Sequence, residues 1–336
     1  LKKEFILYLK KFLLESKDKI MNLTFMNPKE LQILTQLEKG IPLVTCPFKV
    51  LAEKLNISER EFLFITKKLL KEKKIRRIGA IINSKALGFA STLIATQIKE
   101  EQIPTIIPII NSYPEVTHNY LRLGKFNLWF TIIAKDRLTL AKIIEEISKK
   151  TNLYLYSLPT VKVFKLSLEF LSKSSHPPPY VSNKEPISNE ERCLLKVITD
   201  LPILPNPWEW LATELRVTEK EVLNKLSQLI QKGIIRKIRA VLSPSAIGLL
   251  GNALVVWQVK EEDLDKWGNF FASLSVVSHC YARSPHPEIP FNLYTMMHFP
   301  CEEKLKERVN LLTNQIKPIR KEILFTLKDL LSLKRK

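Results

Sequence analysis

Val116-Thr117-His118-Asn119-Tyr120-Leu121-Arg122 returns later in the chain as Val277-Ser278-His279-Cys280-Tyr281-Ala282-Arg283. A strand directs alternate side chains to one face, so each copy sets a His, a Tyr and an Arg in a single row. A structural strand would more often fill such a row with Val, Ile or Phe. An imidazole, a phenol and a fixed cation are instead tools for handling an anionic substrate.

The repetition extends outward from the row. Phe126-Asn127-Leu128-Trp129 follows the first copy and Phe291-Asn292-Leu293-Tyr294 the second, after a longer loop, Ser284-Pro285-His286-Pro287-Glu288-Ile289-Pro290. Upstream, Ile75-Arg76-Arg77-Ile78-Gly79-Ala80 recurs as Ile235-Arg236-Lys237-Ile238-Arg239-Ala240, and Leu51-Ala52-Glu53-Lys54-Leu55 as Leu211-Ala212-Thr213-Glu214-Leu215. Two fused homologous halves are the simplest explanation. Each half opens with a trihelical pattern. In the first, Pro28 to Glu38 buries Leu31, Ile33, Leu34 and Leu37, a short helix spans Phe48 to Leu55, and a third starts at Ser58, with Glu61 at capping-box spacing. Thr218 and Glu221 are the matching pair in the second half. Ile75 to Asn83 alternates like a strand pair and is expected to form a wing.

After each wing the order is βαββαβ, with elements expected at Ser91 to Ile98, Ile103 to Asn111, Val116 to Arg122, Phe126 to Ala134, Arg137 to Lys149 and an extended stretch to Phe170. The chain is therefore expected to be α+β: a tandem repeat of a winged helix-turn-helix domain and a ferredoxin-like domain. The expected boundaries are 1–25 for an N-terminal extension, 26–89 and 188–249 for the winged helices, 90–171 and 250–336 for the ferredoxin-like domains, and 172–187 for a linker containing Pro177-Pro178-Pro179. Leu1 to Lys19 is a basic amphipathic segment without a clear signal-peptide cleavage pattern, and the stretch is expected to be an upstream extension ahead of a start at Met21 or Met26.

Composition sets limits on function. The formal net charge is +19, which attracts polyanions without choosing among nucleic acid, membrane and acidic small molecules. No apolar run is long enough to cross a membrane, so no membrane partner is expected. The four cysteines, Cys46, Cys193, Cys280 and Cys301, form no CxxC pair and suggest a reducing cytoplasm. The winged helices invite a test for DNA binding. Both candidate recognition helices put acids in the leading turn, Glu59 and Glu61 in one and Glu219 and Glu221 in the other, where they oppose phosphate. DNA is thus not the expected partner.

A winged helix followed by βαββαβ resembles the Lrp/AsnC regulators. IRRIGAIINSKALGF, VTHNYLR with FNLWFT, and SHCYAR with PFNLYTMMH narrow the resemblance, from about Met26 onward, to the siroheme decarboxylases. In that family two related subunits pair, and here they look joined in one chain. The resemblance implies anaerobic removal of two acetate carboxyls of siroheme as CO2, giving didecarboxysiroheme, with no cofactor beyond the iron of the substrate. It also implies that the halves act as an internal heterodimer, with further homo-oligomers left open.

The substrate makes sense of the row. Siroheme carries carboxylates around a flat macrocycle; Arg122 and Arg283 suit bidentate carboxylate pairing, and Tyr120 and Tyr281 can donate hydrogen bonds. Loss of CO2 leaves electron density on a methylene carbon that must be protonated. His118 and His279 are the catalytic candidates, as proton donors or as axial ligands to the substrate iron; sequence leaves both open. Asn127, Asn292 and His298 on the hairpins, and Arg76, Arg77, Arg236, Lys237 and Arg239 on the wings, are further candidates for substrate contact, the basic cluster being equally readable as a solvated face. Ile133 stands where the second half has His298, so the halves are chemically unequal. Lys162 and Lys328 occupy matching places on the closing segments. His176 falls in the linker and His286 in the expanded loop. Cys280 alternates to the face opposite His279, and Trp129, Met296 and Met297 read as packing residues. Two other functions stay open: a Lrp/AsnC-type DNA-binding regulator, and a haem-binding sensor or carrier.

Overall fold

The computed structural model describes residues 26–166, 170–171 and 187–331. The expected N-terminal extension, His176 and all but the last residue of the expected linker lie outside them. In the first half the elements are α1 (Pro28–Lys39), α2 (Pro47–Glu53), α3 (Glu59–Lys71), β1 (Ile75–Ile82), β2 (Ala90–Thr96), α4 (Ile103–Ser112), β3 (Val116–Arg122), β4 (Leu128–Ala134), α5 (Arg137–Thr151) and β5 (Tyr156–Leu166). The second half repeats them as α6 (Asn189–Val197), α7 (Pro207–Leu215), α8 (Glu219–Gln231), β6 (Ile235–Leu242), β7 (Gly251–Gln258), α9 (Leu264–Ser273), β8 (Val277–Arg283), β9 (Leu293–Phe299), α10 (Glu302–Ile316) and β10 (Arg320–Asp329). The chain divides into two compact units, each built from both halves.

The winged-helix unit is organised by caps and a shared core. Ser58 accepts from the Glu61 amide at the start of α3, and Thr218 and Glu221 form a reciprocal capping box at the start of α8, as their spacing predicts. The buried stripes of both helical sets merge: Leu34, Leu37, Phe48, Phe62 and Leu69 join Leu194, Trp208, Leu211, Leu226 and Leu229 in one apolar cluster. Trp208 Nε1 donates to the Val44 carbonyl across the halves at 2.8 Å.

The wing corrects the sequence reading. Ile75 to Asn83 is not a strand pair. It forms one strand, β1, which pairs antiparallel with its own repeat β6, in a register that sets Ile78 opposite Ala240 and Ala80 opposite Ile238. Eight residues with no turn inside them cannot fold back on themselves, whereas the homologous strand satisfies their amides. Gly79 permits a further close approach: a Cβ there would lie 2.3 Å from the Thr199 carbonyl oxygen.

In the second unit the two βαββαβ motifs close into one barrel, in the strand order β10-β3-β4-β2-β5-β8-β9-β7. The closing strand of each half is shared. Tyr156 to Pro159 of β5 pair with β2, and Thr160 to Leu166 continue along β8 of the other half. Likewise β10 pairs with β7 through Arg320 to Phe325 and with β3 through Thr326 to Asp329. No pair of sheet edges is left open by this exchange. One sheet face in the first half packs on α4 and α5 through Ile94, Phe130 and Ile132. The opposite face contributes Ala95, Trp129 and Leu158 to a cluster with Val256, Ile289, Phe291, Tyr294 and Leu324 of the second half.

Candidate active site

The His-Tyr-Arg rows are present in both halves and occupy the sheet face away from the helices. On β3, His118 stands opposite Thr131 and Tyr120 opposite Trp129; on β8, His279 stands opposite Met296 and Tyr281 opposite Tyr294. The ring centroids are 6.2 Å apart for His118 and Tyr120, and 6.0 Å for His279 and Tyr281. Each guanidinium then lies over the neighbouring phenol, at 4.9 Å for Arg122 on Tyr120 and 5.1 Å for Arg283 on Tyr281. The intervening Asn119 and Cys280 face the helices. Asn119 donates to Asn111, and the Cys280 sulfur lies 3.6 Å from the Gly268 carbonyl. Burial pushes the Cys280 thiol up, which suits a packing residue and not a nucleophile.

Both arginines reach into the other half. Arg122 Nη1 donates to the Leu324 carbonyl at 3.2 Å and to the Thr326 hydroxyl at 2.7 Å, both on β10. Arg283 Nη1 donates to the Leu158 carbonyl on β5 at 2.8 Å. Burial pulls the Arg122 pKa down to about 10 and lowers that of Arg283, with Tyr120 and Tyr281 partly offsetting the effect. The Nε atom of each arginine is buried without a hydrogen-bond partner, as is the Tyr294 hydroxyl. Such groups are costly inside a fold and point to donors held for an anion. Tyr294 was legible only as a strand residue in register with Met296. Its pairing with Tyr281 and its distance of 5.7 Å from Arg283 are what add it to the site.

A β-bulge precedes each histidine, where Val116 to His118 and Val277 to His279 break register. The bulge brings the neighbouring hydroxyl to the imidazole: Thr117 Oγ1 lies 3.1 Å from His118 Nδ1, and Ser278 Oγ lies 2.7 Å from His279 Nδ1. His118 is exposed and His279 half-buried. In the second half the chain of contacts continues. Ser278 Oγ lies 2.7 Å from Nε2 of the buried His298, whose Nδ1 lies 2.5 Å from Asn252 Oδ1.

Other sequence candidates are placed differently. Asn127 and Asn292, candidates for substrate contact, each clamp a backbone. Asn127 accepts from the Ile98 amide and donates to its carbonyl; Asn292 does the same with Val259. Arg76, Arg77, Arg236, Lys237 and Arg239 belong to the winged-helix unit, on β1 and β6. There Arg77 donates to the Thr199 carbonyl, Arg236 to Asn83 at 3.2 Å, and Arg239 is buried. Lys162 pairs with Asp265 at 2.7 Å on the surface, and Lys328 is exposed. His286 is half-buried, its ring 4.9 Å from that of Tyr156. The loop carrying it sends Ile289 and Phe291 into the apolar cluster. Trp129 is buried and donates to the Phe126 carbonyl; Met297 is fully buried and Met296 partly exposed. Among the described residues no cluster of His, Cys, Asp and Glu could hold a metal ion.

This arrangement coincides with one family. The Siroheme decarboxylase NirDL-like HTH domain matches residues 30–76 and 190–236, and the AsnC-like ligand binding domain matches 86–165 and 246–330. The siroheme decarboxylase of Hydrogenobacter thermophilus is 33% identical over 282 residues, covering 82% of this chain and 84% of that protein. The chain belongs to the siroheme decarboxylase family. The siroheme decarboxylase alpha subunit of Desulfovibrio desulfuricans is 35% identical over 145 residues, 43% of this chain and 84% of that subunit, in keeping with a chain built from two subunit-like halves. The crystal structure of the siroheme decarboxylase NirDL in co-complex with an iron-uroporphyrin III analogue superposes with a TM-score of 0.69 at 29% identity, covering 89% of this chain and 91% of that one. Siroheme decarboxylases therefore supply the frame in which the two rows are read.

Proposed function

We propose that this chain is a carboxy-lyase that removes two acetate carboxyl groups from siroheme as CO2. The observation that carries this reading is the paired His-Tyr-Arg row, each guanidinium carrying a buried unpartnered Nε, on a fold that matches siroheme decarboxylases along most of its length. Arg122 and Arg283 bind carboxylates of the tetrapyrrole, with the tyrosines as hydrogen-bond donors. Breaking the carbon–carboxylate bond releases CO2 and leaves the electron pair on the methylene carbon. The macrocycle delocalises that pair, so the reaction needs no cofactor beyond the iron of the substrate. A proton from an imidazole converts the carbon to a methyl group. The two halves act as an internal heterodimer, and a cytoplasmic location suits the cysteines, which form no disulfide.

The test is anaerobic incubation of the full chain with siroheme, followed by mass spectrometry of the tetrapyrrole. Loss of two carboxyl groups is expected. Unchanged siroheme, together with sequence-selective duplex binding at physiological salt, would overturn the enzyme reading in favour of a regulator. A His-dependent absorbance change on haem addition with no CO2 released would favour a sensor.

A further inference from the structure

The contacts around His279 form a directed chain. Ser278 Oγ lies 2.7 Å from both His298 Nε2 and His279 Nδ1, and 3.5 Å from the Met296 carbonyl, so the direction of the series follows from which ring nitrogen of His298 carries its proton. His298 Nδ1, at 2.5 Å from Asn252 Oδ1, is the protonated nitrogen of that ring, because an amide oxygen only accepts. The Ser278 oxygen, its proton given to His298, then accepts from His279 Nδ1 at 2.7 Å. With the Asn252 amide oxygen turned toward His298, each donor in the series meets an acceptor.

The first half lacks this device. Thr117 Oγ1 lies 3.1 Å from His118 Nδ1 and 3.5 Å from the Thr131 carbonyl, and Ile133 fills the place of His298. The strand pairings show the equivalence: Ser91 faces Ile133 as Asn252 faces His298. Without that imidazole, the Thr117 hydroxyl can donate to or accept from His118 Nδ1.

We propose that His298 is a positioning residue for the second-half histidine: acting through Ser278, it holds His279 as the Nδ1–H tautomer and leaves Nε2 as the nitrogen that works on the tetrapyrrole. The assignment rests on the decarboxylase reading for what Nε2 does, but the tautomer itself does not. When His279 gives a proton from Nε2, the ring left behind is already the neutral form that the series stabilises. No hydrogen bond must be remade between the two states, so the donor is preorganised for proton delivery. If Nε2 instead ligates the substrate iron, the same bond fixes ring orientation and basicity, as it does for metal-bound imidazoles generally.

The protein has five histidines, which makes nitrogen NMR of 15N-histidine-labelled full chain assignable by single substitutions. At a pH where the imidazoles are neutral, His279 is expected as the Nδ1–H tautomer in the unliganded wild type. His298→Ile copies the first half's own residue, and Ser278→Ala removes the bridge. Both should give a tautomer mixture at His279, and both should slow the single-turnover decarboxylation on the order of tenfold to a hundredfold with little change in siroheme affinity. Ser278→Thr, the hydroxyl used by the first half, should restore tautomer and rate. An unchanged Nδ1–H tautomer in a folded Ser278→Ala protein would overturn the proposal, as would a wild-type His279 protonated on Nε2. Absence of turnover in the wild type would count against the enzyme reading alone, since the NMR measurement needs no substrate.

Discussion

Thr326 lies on the last strand of the second half, and its hydroxyl accepts from Arg122 Nη1 of the first half at 2.7 Å. The His-Tyr-Arg row of one half is thus completed by the closing strand of the other. Isolated halves would each present an arginine whose partners are missing, and exchange of the closing strands positions the site as well as closing the barrel.

Thr326→Val keeps the volume and removes the acceptor from a buried cation. The loss is expected to cost about 1.5–3 kcal/mol, the range for hydrogen bonds to charged groups, read as a lower denaturation midpoint. Siroheme binding should weaken too, because the Arg122 side chain loses one of its two tethers. Unchanged stability and affinity would show that the Leu324 carbonyl alone holds it.

The two histidines should not be interchangeable. His279→Ala is expected to impair the chemical step the more severely, and His118→Ala to affect mainly binding, orientation or one of the two decarboxylations. The grounds are that His298 and the longer loop equip only the second half. Anaerobic single-turnover assays resolving mono- and didecarboxylated products separate these outcomes. Full activity in a folded His279→Ala protein refutes its role.

In the winged-helix unit, Glu30 is bonded to Lys68 at 2.7 Å and Lys74 at 3.0 Å. The Lys68 hydrogen bond, opposed by burial and helped by Lys74, holds its carboxyl below the ordinary value of 4.5. A carboxyl lowered in the folded state binds fewer protons there than in the unfolded chain, so its stabilisation is full above the ordinary value and fades as pH falls through the lowered one. Glu30→Gln should therefore loosen α1 and α3 at neutral pH and converge on the wild type in acid. Hydrogen exchange of those helices measures the difference; a gap that persists in acid contradicts the assignment.

Much of this architecture was legible in the sequence, because duplication doubled each signal. The capping pairs at Ser58 and Thr218, the βαββαβ order and the bounds of β3 all follow from local pattern. Partner choice was not legible. An alternating strand such as β1 does not say whether it folds on itself or pairs with its repeat, and β5 does not announce that it changes partner near Pro159. Asn127 and Asn292 were polar in the right hairpins, yet their amides serve the ends of β2 and β7. Ser278 was hidden by strict alternation, which would turn it away from His279; the bulge turns it back.

Gly79 offers a test of the shared winged-helix sheet. A methyl group there would sit 2.3 Å from the Thr199 carbonyl oxygen, a backbone atom that cannot swing aside. Gly79→Ala should cost about 1–3 kcal/mol, the usual range for overpacking, and increase hydrogen exchange along both β1 and β6. A change confined to β1 would mean that the two strands open independently.

Tyr294 permits a prediction in which stability and function move in opposite directions. Its ring is almost fully buried, burial raises its pKa, and its hydroxyl has no partner. An unsatisfied buried hydroxyl costs about 1–3 kcal/mol, and Phe would keep the ring contacts with Leu324 and Ile289 while removing it. Tyr294→Phe is therefore expected to raise the denaturation midpoint. If the hydroxyl is held for a carboxylate beside Arg283, the same change should weaken siroheme binding by roughly tenfold, the equivalent of one hydrogen bond to a charged group. Trp129, the equivalent residue of the first half, already donates its Nε1–H to the Phe126 carbonyl, so Trp129→Phe should destabilise the fold. Denaturation curves and siroheme titrations of the two variants decide the matter. A Tyr294→Phe protein that is less stable than the wild type, or that binds siroheme equally well, would remove the hydroxyl from the site.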